Sequence, residues 1–89
     1  MEIKKTASAG TMESSDAYVQ IAPGNGKLAI EVESVVMNQF GDAILAAVTD
    51  VLQQQGIDNA NVRIVDRGAL ECVIRARVET AILRGKGEV

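Results

Sequence analysis

The 89-residue sequence has no histidine, no tryptophan, one cysteine and one proline, and its aromatic side chains are limited to Tyr18 and Phe40. Without histidine, the Ser-His-Asp and Cys-His nucleophilic arrangements are excluded. With Cys72 alone, there is neither an internal disulfide nor a His/Cys zinc site, so no metal is expected and a reducing compartment fits. So few aromatics leave no stacking platform for bases, and a net charge of −3 offers no basic face to release counterions, so nucleic acid is not an expected partner. Long hydrophobic runs are missing too. The uncharged apolar stretch from Ala43 to Thr49 is too short to cross a bilayer, and Met1-Glu2-Ile3-Lys4-Lys5 lacks the hydrophobic region of a signal peptide. A cytoplasmic protein with no membrane partner is expected.

What remains is ordinary globular material. Hydrophobic residues make up 47% and charged residues 24%, and the length suits a single domain over residues 1–89. The Asp and Glu residues, 12 in all, are scattered, and nothing in their spacing picks out an acid/base pair. Residues Thr6 to Ser15 are rich in Ser, Thr, Ala and Gly without apolar period, so residues 1–15 read as an irregular, flexible, exposed lead-in. From Asp16 the pattern changes. Ala17, Val19 and Ile21 alternate with Tyr18 and Gln20, and after Pro23-Gly24-Asn25-Gly26 the alternation resumes with Leu28, Ile30 and Val32. Period two on both sides of a turn-forming link predicts a β-hairpin with Leu28, Ile30 and Val32 on the core face.

Residues Val36 to Gln55 then place Met37, Phe40, Ile44, Ala47, Val48 and Val51 at helical spacing, which predicts an amphipathic helix of about five turns. Ser34 is its expected N-cap and Gly56 its left-handed stop. Asn61 to Val65 reads as a strand. Asp66 before Gly68-Ala69-Leu70 marks the start of a second helix that runs to about Arg84 and stops at Gly85. The order ββαβα predicts an α+β two-layer sandwich, with one mixed sheet and two helices on one face. The strands joined by the first helix should be parallel, since the helix supplies a crossover. The other sheet face should be partly open.

The second helix carries an anomaly. Projected from Leu70, the apolar residues Val73, Ile74, Val78 and Ala81 form one arc and Arg77 falls in its middle, while Glu71, Arg75 and Glu79 lie outside it. A guanidinium cannot shed its charge and needs an anion or carbonyls wherever it is buried. Two readings stay open. Arg77 lays its stem along the apolar face and emerges at the sheet edge or pairs with Asp66 or another carboxylate, or it anchors the segment around Ser14, through Glu13 or Asp16 or through a phosphate attached there. Cys72 falls on the polar flank, where a small filler is the simpler reading. Ser14 itself, taken alone, is an ordinary loop serine.

The segment Gly10-Thr11-Met12-Glu13-Ser14-Ser15-Asp16 resembles the acyl carrier subunits, or gamma chains, of citrate lyases. Gln39-Phe40-Gly41-Asp42-Ala43-Ile44 and the run from Asp66-Arg67-Gly68-Ala69-Leu70 to Arg77 match in the same order over almost the whole chain. The resemblance implies a non-catalytic carrier in a hetero-oligomer. A CoA-derived group, 2'-(5''-phosphoribosyl)-3'-dephospho-CoA, would be joined by a phosphodiester to Ser14 by a prosthetic-group transferase. Its thiol would take acetyl and citryl thioesters between the alpha (transferase) and beta (lyase) subunits. In that family glycine commonly follows the serine. Here Ser15 does, a second hydroxyl and the fallback site. The absence of Asp-Ser-Leu and the expected strands separate this chain from the helical acyl carriers. The carrier subunit of malonate decarboxylase and a non-covalent regulatory or assembly module are the alternatives.

Overall fold

The computed structural model describes residues 2–34 and 37–87, with the side chains of residues 37–40 outside that description. The elements run β1 (Ala7–Gly10), β2 (Ala17–Pro23), β3 (Leu28–Ser34), α1 (Met37–Gln54), β4 (Ala60–Asp66) and α2 (Glu71–Lys86). The α+β architecture is as expected, with one mixed sheet of order β1-β2-β4-β3. The helices pack on each other and on one face of the sheet, α2 over β1 and β2 and α1 over β3.

The pairing corrects the expected hairpin. β2 and β3 do not pair. β4 lies between them, antiparallel to β2 with Val19 opposite Ile64, and parallel to β3 with Ile30 opposite Val62. The link through Gly24 to Lys27 spans two strand spacings, about 10 Å, and so cannot be a tight turn. It wraps the start of β4. The Ala60 amide donates to the Lys27 carbonyl at 3.2 Å, and the Gly26 amide donates to Asn59 Oδ1 at 2.8 Å. The centre goes to β4 because it buries Val62, Ile64 and Val65, and a central position satisfies both of its edges. The parallel β3–β4 pair joined by α1 agrees with expectation, and Leu28, Ile30 and Val32 pack half-buried against the core.

The lead-in is also corrected. Ala7–Gly10 is a strand, antiparallel to β2, so the described residues form four strands and the true hairpin is β1–β2. Ahead of it Ile3 is buried, and the amides of Lys4 and Lys5 donate to the Gly85 carbonyl at 2.9 and 3.2 Å. This strand is hard to see in sequence because Ala-Ser-Ala-Gly has little apolar contrast and low strand preference.

The helix α1 ends as expected at Gly56, with φ +71°. The Ile57 amide donates to the Leu52 carbonyl and the Gly56 amide to the Gln53 carbonyl, the paired bonds that close a helix through a left-handed glycine. Met37 and Phe40, expected on its core face, have side chains outside the described residues, as does Val36 altogether. Ser34 closes β3 and its hydroxyl donates to Asp66 Oδ2 at 2.7 Å. Its expected capping role turns on residues 35 and 36, which lie outside the described residues. The helix α2 does not stop at Gly85. It runs to Lys86 and closes on Gly87, with φ +84°. Gly85 is buried, and a side chain there would press within 3.1 Å of Ile3 and Ile21. Ile74, Val78, Ala81 and Ile82 form the buried face of α2. Between the helices, Arg75 bridges Asp50 of α1 at 2.6 Å and Glu71 at 3.0 Å.

Candidate functional site

Residues Thr11 to Asp16 join β1 to β2 at one end of the sheet. Met12, Glu13, Ser14 and Ser15 are exposed, but the loop is held at both ends. The Ser15 amide donates to the Arg67 carbonyl at 2.8 Å, and the Arg67 amide donates to the Asp16 carbonyl at 2.9 Å. These bonds extend the β2–β4 ladder past its last residues, so the backbone on the C-terminal side of Ser14 is fixed to the far end of β4.

Asp16 is the hub. Its Oδ2 accepts from the Thr11 hydroxyl at 2.7 Å and from Arg77 Nη2 at 3.0 Å. Its Oδ1 accepts from Arg77 Nε at 3.1 Å and from the Ala17 amide at 2.7 Å. The Thr11 oxygen accepts in turn from the Glu13 amide at 3.2 Å. The hydroxyl of Thr11, then the Arg77 fork, then the Ala17 amide hold the Asp16 carboxyl down at about 2, against an ordinary 3.8. Arg77 is thus half-exposed and paired with the serine loop. Asp66, the other carboxylate considered for it, is buried elsewhere, where its Oδ1 accepts from the Gly68 and Ala69 amides at 3.2 and 2.9 Å. That turn presents the Arg67 backbone to Ser15.

Two backbone features explain the local sequence. Gly10 has φ +90°, and a side chain there would overlap the Ala17 carbonyl and come within 3.1 Å of Arg77 Cδ. The glycine is what lets the Arg77 stem cross the strand end to reach Asp16. Ser15 has φ +66°, the left-handed region that favours glycine. The position where glycine commonly follows the serine in the resembled family is therefore one whose backbone suits glycine.

Ser14 and Ser15 are both exposed, and Arg77 meets the loop through Asp16. Sequence reasoning missed Thr11, Gly10 and Arg67 as parts of the site. Asp66-Arg67-Gly68-Ala69 does carry a local signal, since an Asp that accepts amides two and three residues on is a recurrent turn. A concavity of about 420 Å³ on the open sheet face, beside Gln20, Glu31, Asn61 and Arg63, shares no residue with the loop. Among the described residues no group of His, Cys, Asp and Glu could hold a metal, and no helix is long and apolar enough to cross a membrane.

Curated relatives match this chain along its length. A citrate lyase acyl carrier protein of Leuconostoc citreum is 51% identical over 84 residues, covering 94% of this chain and 87% of the relative. One from Albidiferax ferrireducens is 49% identical over 90 residues, covering 100% of this chain and 92% of the relative. The chain belongs to the citrate lyase acyl carrier protein family. The ACP family profile, malonate decarboxylase delta subunit (MdcD), matches residues 4–85 of this acyl carrier protein family member. A chain in the crystal structure of a Pseudomonas malonate decarboxylase hetero-tetramer in complex with malonate superposes with TM-score 0.82 at 27% identity. The superposition covers 94% of this chain and 87% of that one. The two carrier families thus share the fold, and sequence identity places this chain with the citrate lyase carriers.

Proposed function

We propose that this chain is the covalent acyl carrier subunit of a citrate lyase, without catalytic groups of its own, and that Ser14 carries the phosphoribosyl-dephospho-CoA group. Family membership supports the carrier role. The observation that bears most on the site is the exposed Ser14 hydroxyl on a loop whose backbone is tied to Arg67 and, through Asp16, to Arg77.

The residues present fit such a group. Attachment needs a hydroxyl open to a modifying active site, and Ser14 is exposed. Ser14 Oγ would hold the group through a phosphodiester, its hydroxyl proton passing to a base of the loading enzyme as the P–O bond to the donor's leaving group breaks. Once attached, the group supplies a terminal thiol for acetyl and citryl thioesters. This chain's residues keep the attachment point fixed. Asp16 is neutralised by the Arg77 fork, which limits the negative charge that a phosphodiester at Ser14 would meet. A tethered acyl group meets successive active sites at an effective concentration set by its arm instead of by diffusion. Ser14 is preferred over Ser15 by its place in the motif. Ser15 also has its backbone amide held by Arg67.

The partners on this reading are the alpha and beta subunits of citrate lyase and the prosthetic-group transferase, in a cytoplasmic hetero-oligomer. The hetero-tetrameric malonate decarboxylase that shares the fold supports assembly with other subunits. It also supports a second reading, the carrier of a malonate decarboxylase, which relatives near 50% identity make the weaker one. Peptide mapping of the protein co-expressed with its modifying enzymes tests the site. One cofactor mass is expected on Ser14, lost in Ser14→Ala and kept in Ser15→Ala. Loading abolished only in Ser15→Ala moves the site by one residue, and an unmodified mass overturns the carrier reading. Reconstitution with citrate lyase or malonate decarboxylase subunits separates the two carriers.

A further inference from the structure

Leu70 occupies the N-cap of α2, with φ −69° and ψ 155°, and it makes no side-chain capping bond. Its carbonyl accepts from the Val73 and Ile74 amides at 3.0 and 3.1 Å, so its place at the helix start is well defined. Ser, Thr, Asp or Asn would satisfy a free helix amide there, and leucine does not. It is also 71% exposed, more than Met12 at 46%, Leu45 at 41% or Leu83 at 37%. The free domain gains neither a cap nor core burial from this side chain. A local rule broken without a gain in the folded chain points to a gain made elsewhere.

Its position says where. Arg67, three residues before Leu70, is bonded through its backbone to both Ser15 and Asp16. Met12 lies exposed on the same loop as Ser14. Beyond Leu70, Ala69 lines a groove of about 170 Å³ between the helices with Ala43, Ile44 and Ala47. Apolar side chains are thus exposed two residues before Ser14 on the loop, at Met12, and three residues after the Arg67 backbone that bonds Ser15.

We propose that Leu70, assisted by Met12, is the apolar docking anchor for the enzyme that joins the phosphate-linked group to Ser14. This rests on the reading of Ser14 as the loaded residue. The occupant follows from geometry. Forming a bond to Ser14 Oγ requires the loading active site to reach the hydroxyl itself and cover its immediate surroundings. Enzymes that use the far thiol of a long arm have no such need to cover the hydroxyl. A leucine left 71% exposed in the free domain gains transfer free energy when such a contact takes it out of water.

The test is steady-state loading with the purified transferase and its donor, varying the apo-protein. Leu70→Ser is expected to lower kcat/KM at least tenfold through KM, while its unfolding temperature is unchanged or raised because serine caps the helix. Leu70→Met should restore most of the loss, and Leu83→Ser, at the other end of α2, should load like the original protein. Equal loading of Leu70→Ser and the original overturns the inference and leaves the carrier reading intact. Normal loading with slowed turnover of the pre-loaded variant by the catalytic subunits also overturns it, because the anchor then serves them. Should Leu70→Ser fold poorly, the comparison of Leu70→Ala with Leu70→Met decides on the same criteria. Failure of the original protein to load at all overturns the carrier reading, and this inference with it.

Discussion

At the scale of single residues, the serine loop is shaped by conformations that only certain side chains tolerate. Ser15 sits at φ +66°, so Ser15→Gly should stabilise the domain by about 1 kcal/mol, read from urea unfolding, and leave loading at Ser14 intact. Asp16 gives a dependence on acidity. Its carboxyl is held at about 2 by Thr11, Arg77 and the Ala17 amide, below the ordinary 3.8 of an unfolded chain. Between these values the unfolded state binds the extra proton, so stability rises with pH. The contribution is complete above the unfolded value and is lost as pH falls through the folded one. Stability measured from about pH 5 down to pH 2 should fall less steeply in Asp16→Asn than in the original protein. Sequence alone marked Arg77 as misplaced on an apolar arc and left its partner open among Asp66 or another carboxylate, Glu13 or Asp16 of the serine segment, and a phosphate attached there. Choosing among them needed the path of β1, because Gly10 opens the way to Asp16. Ser14 stood out as a candidate only through family resemblance, since its own chemistry does not distinguish it from other loop serines.

At the scale of elements, α1 was legible because a period of 3.6 over 18 residues is hard to mistake and Gly56 closes it. The strands β2, β3 and β4 were legible as strands, but not their neighbours. Pairing is non-local, and a four-residue link can close a hairpin or step over a strand that comes later in the chain. The end of α2 was misread because two glycines, Gly85 and Gly87, offered the same signal. The choice is made by packing, with Gly85 against Ile3 and Ile21 and Gly87 at φ +84°. The two should respond differently to substitution. Gly85→Val is expected to destabilise by about 2 kcal/mol through overpacking. Gly87→Ala should cost about 1 kcal/mol through its left-handed backbone. Denaturant midpoints of the two variants check both.

At the scale of the whole molecule, the first residues are part of the fold. Ile3 is 5% exposed, and the Lys4 and Lys5 amides bond to the Gly85 carbonyl, so the chain's start is fastened to its last helix. Ile3→Ala should cost about 2–4 kcal/mol of unfolding free energy, the ordinary loss for a buried isoleucine. A flexible lead-in would show no such loss in calorimetry. Composition misread this segment as a flexible lead-in because a lone isoleucine between charged residues carries no period.

The ladder that continues past β2 to tie Ser15 to Arg67 has a consequence for any assembly built around this domain. An arm rooted in a floppy tail would sweep a broad and ill-defined volume. Rooted here, it has a fixed origin, and its length becomes a radius. If the arm is rooted at Ser14 as proposed, every active site that it serves must open within one arm's length of that residue, so the carrier acts as the pivot from which the spacing of its partners is drawn.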